Sequence, residues 1–281
     1  MIVIKKIMSL ILQCKIAIAI LILIGVLPVL FHDLSFHPDE YVQAIYNEAI
    51  HLFTLTHLSY NDRNSIFSVI FFLYFDSMRI LGLGLILAVI IALLNSYVAL
   101  IFFRKKINLI KKLIELLESI PDLMFILLLQ MLVIYIYKKT GVRIAQVVSL
   151  REKAILLPVI CMAVPISFYI TKVLIHYIEE EMEKNYIVLA KSKGFSFVYI
   201  LNKHVLRNIV EGMHGTSKTV IWSMLSTLLV VDYLFNMNGL LRMMATTPDA
   251  FIVGCMMIFI PFFILYRIYE WTSFDHRKDT H

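Results

Sequence analysis

The residues that could do chemistry come in three sets, and each is incomplete. Gly212-Met-His-Gly215-Thr-Ser-Lys218-Thr219 approaches a phosphate-binding loop, but Ser217 stands where the glycine before the lysine must be, and no strand precedes it. The chain is therefore not read as a nucleotide binder. His32, His37, His51 and His57 lie among Asp33, Asp39 and Glu40, without the fixed spacing a metal site uses; a solvated loop is the simpler reading. Cys14, Cys161 and Cys255 are far apart, each in an apolar block, and form no C-x-x-C pair. No H-E-x-x-H pattern or paired aspartates lie within the apolar blocks. Covalent chemistry, metal binding and redox work are not expected of this chain.

The elements that carry these residues are hydrophobic. Of 281 residues, 60% are hydrophobic and 16% are charged, with a mean hydropathy of +0.83. Ordinary soluble domains carry roughly 25% charge, so a soluble enzyme, a disordered chain and a nucleic-acid-binding domain are excluded. The net charge of +6 reads as a loop bias toward the cytoplasm. Six blocks are long enough to cross a bilayer, near 7–31, 78–103, 119–137, 154–177, 213–235 and 249–270. Each must be helical, because lipid offers no partner to backbone N–H and C=O groups. The first is expected to be a retained helix and not a signal peptide: Lys15 interrupts its apolar run and no small-x-small site follows Phe31.

Placing both termini inside gives the inner connections the larger share of Lys and Arg, including Arg104, Lys105, Lys106, Lys111 and Lys112. The outer ones hold Arg63, Lys138, Lys139, Arg143, Arg151, Lys153 and Arg242. The predicted organisation is a first transmembrane helix (1–31), an outer insertion (32–77), a membrane core (78–270) and a short cytoplasmic tail (271–281). Within the insertion, IFSVIFFLYF (66–75) is too short to span and is expected to be an interfacial segment lying on the outer face or an element folded against the bundle. Residues 104–118 place Ile107, Ile110, Ile114 and Leu117 on one face of a helix on the inner surface. Gln130 and Asp232, polar groups in or near spans, are candidates for a pore or gate; an interhelical hydrogen bond is the other reading of Gln130.

The most informative stretch is 179–212, on the inner side between the fourth and fifth spans. Tyr186, Leu189, Ala190 and Lys193 follow helical spacing up to Gly194; Val198, Leu201, Val205 and Leu206 mark a second amphipathic helix. A glycine between them permits positive φ and a sharp bend. The product is an L-shaped pair projecting from the membrane, with a basic rim of Lys191, Lys193, Lys203 and Arg207, suited to docking in a groove of a soluble partner.

This stretch resembles the cytoplasmic EAA loop of bacterial ABC importer permeases, in the form found in the oligopeptide, dipeptide and nickel branch. There the pattern runs Y-V-x-x-A-x-A-K-G and, after about nine residues, H-x-L-R-N; Tyr186, Ile187, Ala190, Lys193, Gly194, His204, Leu206, Arg207 and Asn208 fall in step. The opening Glu-Ala-Ala is Val188-Leu189-Ala190 here, and the second small residue is Ser192. Ser119-Ile120-Pro121, Leu157-Pro158, Pro165 and Val231-Asp232-Tyr233-Leu234-Phe235 with Asn238-Gly239-Leu240 resemble further family patterns, Asn238 replacing a proline. The first 75 residues depart most. The resemblance implies an all-α, six-helix type I importer permease in a bacterial cytoplasmic membrane. It implies a cytoplasmic ABC ATPase holding ATP and Mg on a separate chain, a second permease subunit, and an external substrate-binding protein. It assigns no catalysis, cofactor or metal to this chain. Tyr186, Ala190, Lys191, Lys193, Gly194 and Phe195 are then the ATPase-coupling candidates, with Phe195 and Tyr186 as apolar knobs; His204, Arg207 and Asn208 would tie the second helix to the permease. An ATP-independent secondary transporter or channel is the rival reading; a secondary transporter would favour paired inverted repeats, which the sequence does not display.

Overall fold

The computed structural model describes residues 2–32, 35–54, 59–61, 64–149, 153–246 and 248–278. Arg63 and Arg151, part of the orientation reading, and Asp33 and His57, part of the histidine set, lie outside the described residues. The architecture is helical. In order it has α1 (Ile2–Gly25), α2 (Leu27–Leu30), α3 (Pro38–Thr54), α4 (Ile66–Phe102), α5 (Ile107–Glu118), α6 (Asp122–Thr140), α7 (Leu156–Met182), α8 (Asn185–Ser192), α9 (Phe197–Ile200), a π-helical turn (Leu201–Val205), α10 (Leu206–Leu234), α11 (Leu240–Thr246) and α12 (Pro248–Lys278). Two short antiparallel ribbons pair Phe31–His32 with Ser35–Phe36 and Ser59–Asn61 with Asn64–Ser65.

Among the described residues four helices are long and apolar enough to cross a membrane: Val69–Phe102, Asp122–Thr140, Leu156–Met182 and Ala250–Arg267. The apolar stretch Ile11–Gly25 of α1 is shorter. α10 covers the expected fifth span, but His214, Thr216, Ser217, Lys218 and Thr219 dilute its hydropathy.

The segment 66–75, assigned from sequence to the outer insertion ahead of a span beginning near 78, is the first part of α4, a single helix of 37 residues. That helix is about 55 Å long at 1.5 Å per residue, against roughly 30 Å of bilayer hydrocarbon. The reason is local. Asp76-Ser77-Met78-Arg79 interrupts the apolar run but contains neither proline nor glycine, so polarity changes while the backbone does not.

The chain divides into two compact units, Met1–Asp76 with Asn238–His281, and Ser77–Met237. In the first, α1, α3 and α12 share a core of Ile22, Val26 and Ile252, flanked by Tyr41, Ile45 and Leu52. The Tyr41 hydroxyl donates to the Leu23 carbonyl at 2.8 Å, which ties α3 to α1. Close approach requires glycine here: a Cβ on Gly25 would lie 2.4 Å from Ile252 Cγ1.

In the second unit α7 is the hub, touching α5, α6, α8, the π turn and α10. Ser119-Ile120-Pro121 makes the corner between α5 and α6; Pro121 has φ −59° and ψ 137°, and Asp122 puts a carboxylate in the first turn of α6, where the helix dipole favours it. On α5 the expected apolar face is turned onto protein: Ile114 is buried with Ala99 and Ile175, and Ile107 and Ile110 pack beside them. Lys111 pairs with Glu179, and Lys172 with Glu118 at 2.5 Å. Leu109, Leu113 and Leu116, on the other side of α5, stay exposed.

Candidate functional site

The bend between α8 and α9 follows from one residue. Gly194 has φ +81°, a conformation in which an L side chain crowds the backbone. Its N–H donates to the Lys191 carbonyl at 3.0 Å, and the Phe195 N–H to the Ala190 carbonyl at 3.3 Å. These two bonds are the Schellman pattern, which satisfies the last carbonyls of a helix and turns the chain. Ser196 then caps α9, its hydroxyl accepting from the Tyr199 N–H at 3.3 Å.

The underside of this elbow is apolar and enclosed. Ile187, Ala190, Ile200, Leu201 and Val205 are buried, as α8 meets α7 and α9 and the π turn meets α7 and α10. The small Ala190 is on this inner side. The outer side is also apolar, yet open: Val188 and Leu189 are 55% and 57% exposed, Phe195 is 45% exposed, and Val198 and Tyr199 are exposed as well. Phe195 stacks on Tyr199 with centroids 4.9 Å apart, and Lys203 Nζ lies 5.5 Å from the Tyr199 ring centroid. Lys191 and Lys193 are exposed beside them, Lys191 reaching the Met182 carbonyl at 3.3 Å.

Sequence reasoning places Tyr186 with Phe195 as a knob; the residue is 37% exposed, and its hydroxyl reaches inward. It donates to Glu181 and accepts from Asn208 Nδ2 at 2.8 Å. Burial, and then the Glu181 carboxylate that accepts its proton, raise the Tyr186 phenol above its ordinary pKa; the Asn208 bond opposes them. His204 sits edge-on to both Tyr186 and Tyr199. Asn208 also donates to Glu181 Oε1 at 3.1 Å, whereas Arg207 is exposed. Three ties to the rest of the unit were not read from the sequence: Asn202 Nδ2 to the Tyr97 hydroxyl at 3.3 Å, the Arg104 guanidinium 4.4 Å from the Phe197 ring centroid, and the Tyr177 hydroxyl to the Gly212 carbonyl at 2.9 Å. No spacing rule links such residues.

The second arm of the elbow differs from expectation. It is not an independent helix followed by a span beginning near 213. α9, the π turn and α10 run on without a break from Phe197 to Leu234, since nothing between Ser196 and Gly212 stops a helix. The near phosphate-loop sequence 212–219 falls inside α10, where the backbone N–H groups are spent on the helix itself. A π turn inside a helix is an inserted residue and is frequent at functional positions.

The two other candidates lie at the far end of α10. Gln130 is buried and its Nε2 donates to the Leu234 carbonyl at 3.4 Å, an interhelical bond. Asp232 is fully buried beside Val231 and Phe235. The turn that follows holds Asn236 and Asn238 at φ 51° and 45°. Proline cannot reach positive φ, so Asn238 is compatible with this backbone where the resembling pattern's proline is not. A cavity of about 180 Å³, lined by Glu118, Asp122, Tyr169, Ser223 and Thr227 among others, opens between the α5–α6 corner, α7 and α10. Thr227 Oγ1 donates to Asp122 Oδ2 at 2.6 Å. Thr219, Ser223 and Thr227 recur every fourth residue, which is the signal that could have marked this face. In the first unit, His37 Nδ1 is 3.6 Å from Glu40 Oε1.

The four long apolar helices are those of a multi-pass membrane protein. Residues 84–269, about two thirds of the chain, match the family of binding-protein-dependent transport system inner membrane components, and the chain belongs to that family. It is a permease component of an ABC importer, of a kind that is generally non-catalytic, and its partners include a substrate-binding protein and an ATPase. None of the curated proteins compared matches the chain.

Proposed function

We propose that the chain forms half of the translocation pore of an ATP-driven importer for peptides or a related small polar solute, and that the elbow docks in a groove of the ATPase. The observation that carries the docking is the exposed apolar outer side of the elbow, Val188, Leu189, Phe195 and Val198, on a segment rimmed by lysines. Exposed apolar surface at a polar rim marks a contact with protein or with membrane, and the bend at Gly194 favours a protein groove. The other half of the pore is a second, homologous permease chain. ATP and Mg reside on the ATPase, whose closure moves the elbow and rocks the helices between inward-open and outward-open packings. Six spans with both termini in the cytoplasm put the elbow on the ATPase side, with α10 and α1 as the two spans of lower or shorter hydropathy. Gln130, Asp232 and the cavity beside Asp122 and Thr227 are the polar groups available to a pore or gate. The cargo class rests on the likeness of the loop to the peptide and nickel branch.

The test is cross-linking in the complete transporter. Phe195→Cys, paired with cysteines along the ATPase groove, should give a cross-linked permease–ATPase species that changes yield on ATP addition. No capture of the ATPase from any groove position would overturn the docking.

A further inference from the structure

Four glutamates crowd the end of α7: Glu179, Glu180, Glu181 and Glu183. Three behave as a solvated acidic run should. Glu180 and Glu183 are exposed, and Glu179 is half-buried against Lys111. Glu181 is 6% exposed, and a buried carboxylate is costly unless paired and hydrogen-bonded. Its partners come from two other elements. Lys184 Nζ, at the joint before α8, lies 2.6 Å from Oε2. Tyr186, in the first turn of α8, donates to Oε1, and so does Asn208 in the first turn of α10 at 3.1 Å. The Asn208–Tyr186 bond closes the triangle.

The chain itself links α7 to α8 only through Glu183 and Lys184, the latter extended at ψ 145°. With so short a covalent link, the direction of α8 is held by the packing of Ile187 and Ala190 and by the polar bonds across the joint. Charge-assisted bonds of this kind are about twice as strong as neutral ones. We propose that Glu181 is the positioning residue that locks α8 to the ends of α7 and α10, so that movement of the elbow is delivered to both helices instead of being lost at the joint. This rests on the docking reading above.

The experiment uses the complete transporter in lipid nanodiscs, with nitroxides at Lys193→Cys and Val210→Cys to read the stiffness of the elbow. Stimulation of ATP hydrolysis by the transporter's own binding protein reads transmission. Glu181→Leu should broaden the distance distribution and cut the stimulation about tenfold, within the range of coupling ordinarily carried between sites, while Phe195→Cys cross-linking persists. Glu181→Gln, whose amide oxygen still accepts from Tyr186 and Asn208, should fall in between. Unchanged stimulation in Glu181→Leu overturns the proposal, whatever the distances do; so does lost stimulation with an unchanged distance distribution. Should Glu181→Leu fail to accumulate, Tyr186→Phe with Asn208→Leu removes two of the three arms and the same outcomes decide. Absent cross-linking in the otherwise native Phe195→Cys chain counts against docking alone, because the distance measurement still tests the lock.

Discussion

α5 and the elbow both join the same hub helix, and both leave apolar side chains uncovered. They differ in shape and in composition. On α5 the exposed residues are leucines, Leu109, Leu113 and Leu116, on one straight helix of 12 residues with basic residues before and among them. That stripe suits a flat lipid surface, with lysines at headgroup level. The elbow is bent by Gly194 and mixes aromatic with aliphatic side chains around the bend. A bilayer has no use for a bend; a protein groove does. Exposed hydrophobic area is therefore not one signal but two, told apart by geometry.

The largest effect should come from removing the bend. Gly194→Val puts a β-branched residue at φ +81°, where even an ordinary L residue costs roughly 1–2 kcal/mol. Uptake driven by ATP should be abolished, with membrane insertion and expression intact by fractionation. Open space surrounds Gly194, so the penalty is conformational, and Gly194→Asn should keep most of the activity because asparagine tolerates the left-handed region. Equal loss in both variants would shift the cause from backbone to bulk.

An intermediate effect tests the comparison directly. Nitroxides at Leu113→Cys and Leu189→Cys, in a chain without Cys14, Cys161 and Cys255, should collide with different relaxing agents. Position 113 should favour oxygen, which concentrates in lipid; position 189 should favour a water-soluble nickel chelate and lose it when the ATPase binds. Lipid-like accessibility at 189 would make the elbow a second α5.

The smallest effect is at the cap of α9. Ser196→Ala removes the acceptor for the Tyr199 N–H at a cost of about 1 kcal/mol. Because α9 runs on into α10 through the π turn, thermal unfolding of the detergent-solubilised chain should shift by only a few degrees, with binding-protein stimulation reduced less than twofold. A large loss would show that α9 forms independently and depends on its cap.

Much of this was legible before any coordinates. Composition required a membrane protein, and the spacing from Tyr186 to Gly194 required a helix that ends there. The fate of individual polar residues was not legible. Nothing in the run of glutamates singles out Glu181, because the residue buried depends on where Tyr186 and Asn208 arrive, twenty-two positions apart. Tyr186 and Phe195 read alike in sequence and both stay exposed, yet only Tyr186 joins that network, through its hydroxyl. Likewise 66–75 and α9 read as separate pieces, since hydropathy reports solvent and not chain continuity.

The sequence by itself determined that the chain is helical and where the elbow bends, because backbone satisfaction in lipid and positive φ at a glycine are local constraints. Only the tertiary structure decided which faces those helices spend on one another: the isoleucines of α5 on α7, Glu181 on two elements at once, and the outer side of the elbow left exposed among the described residues. Burial is set by what arrives from distant positions, and the physics that fixes it acts between elements and not along them.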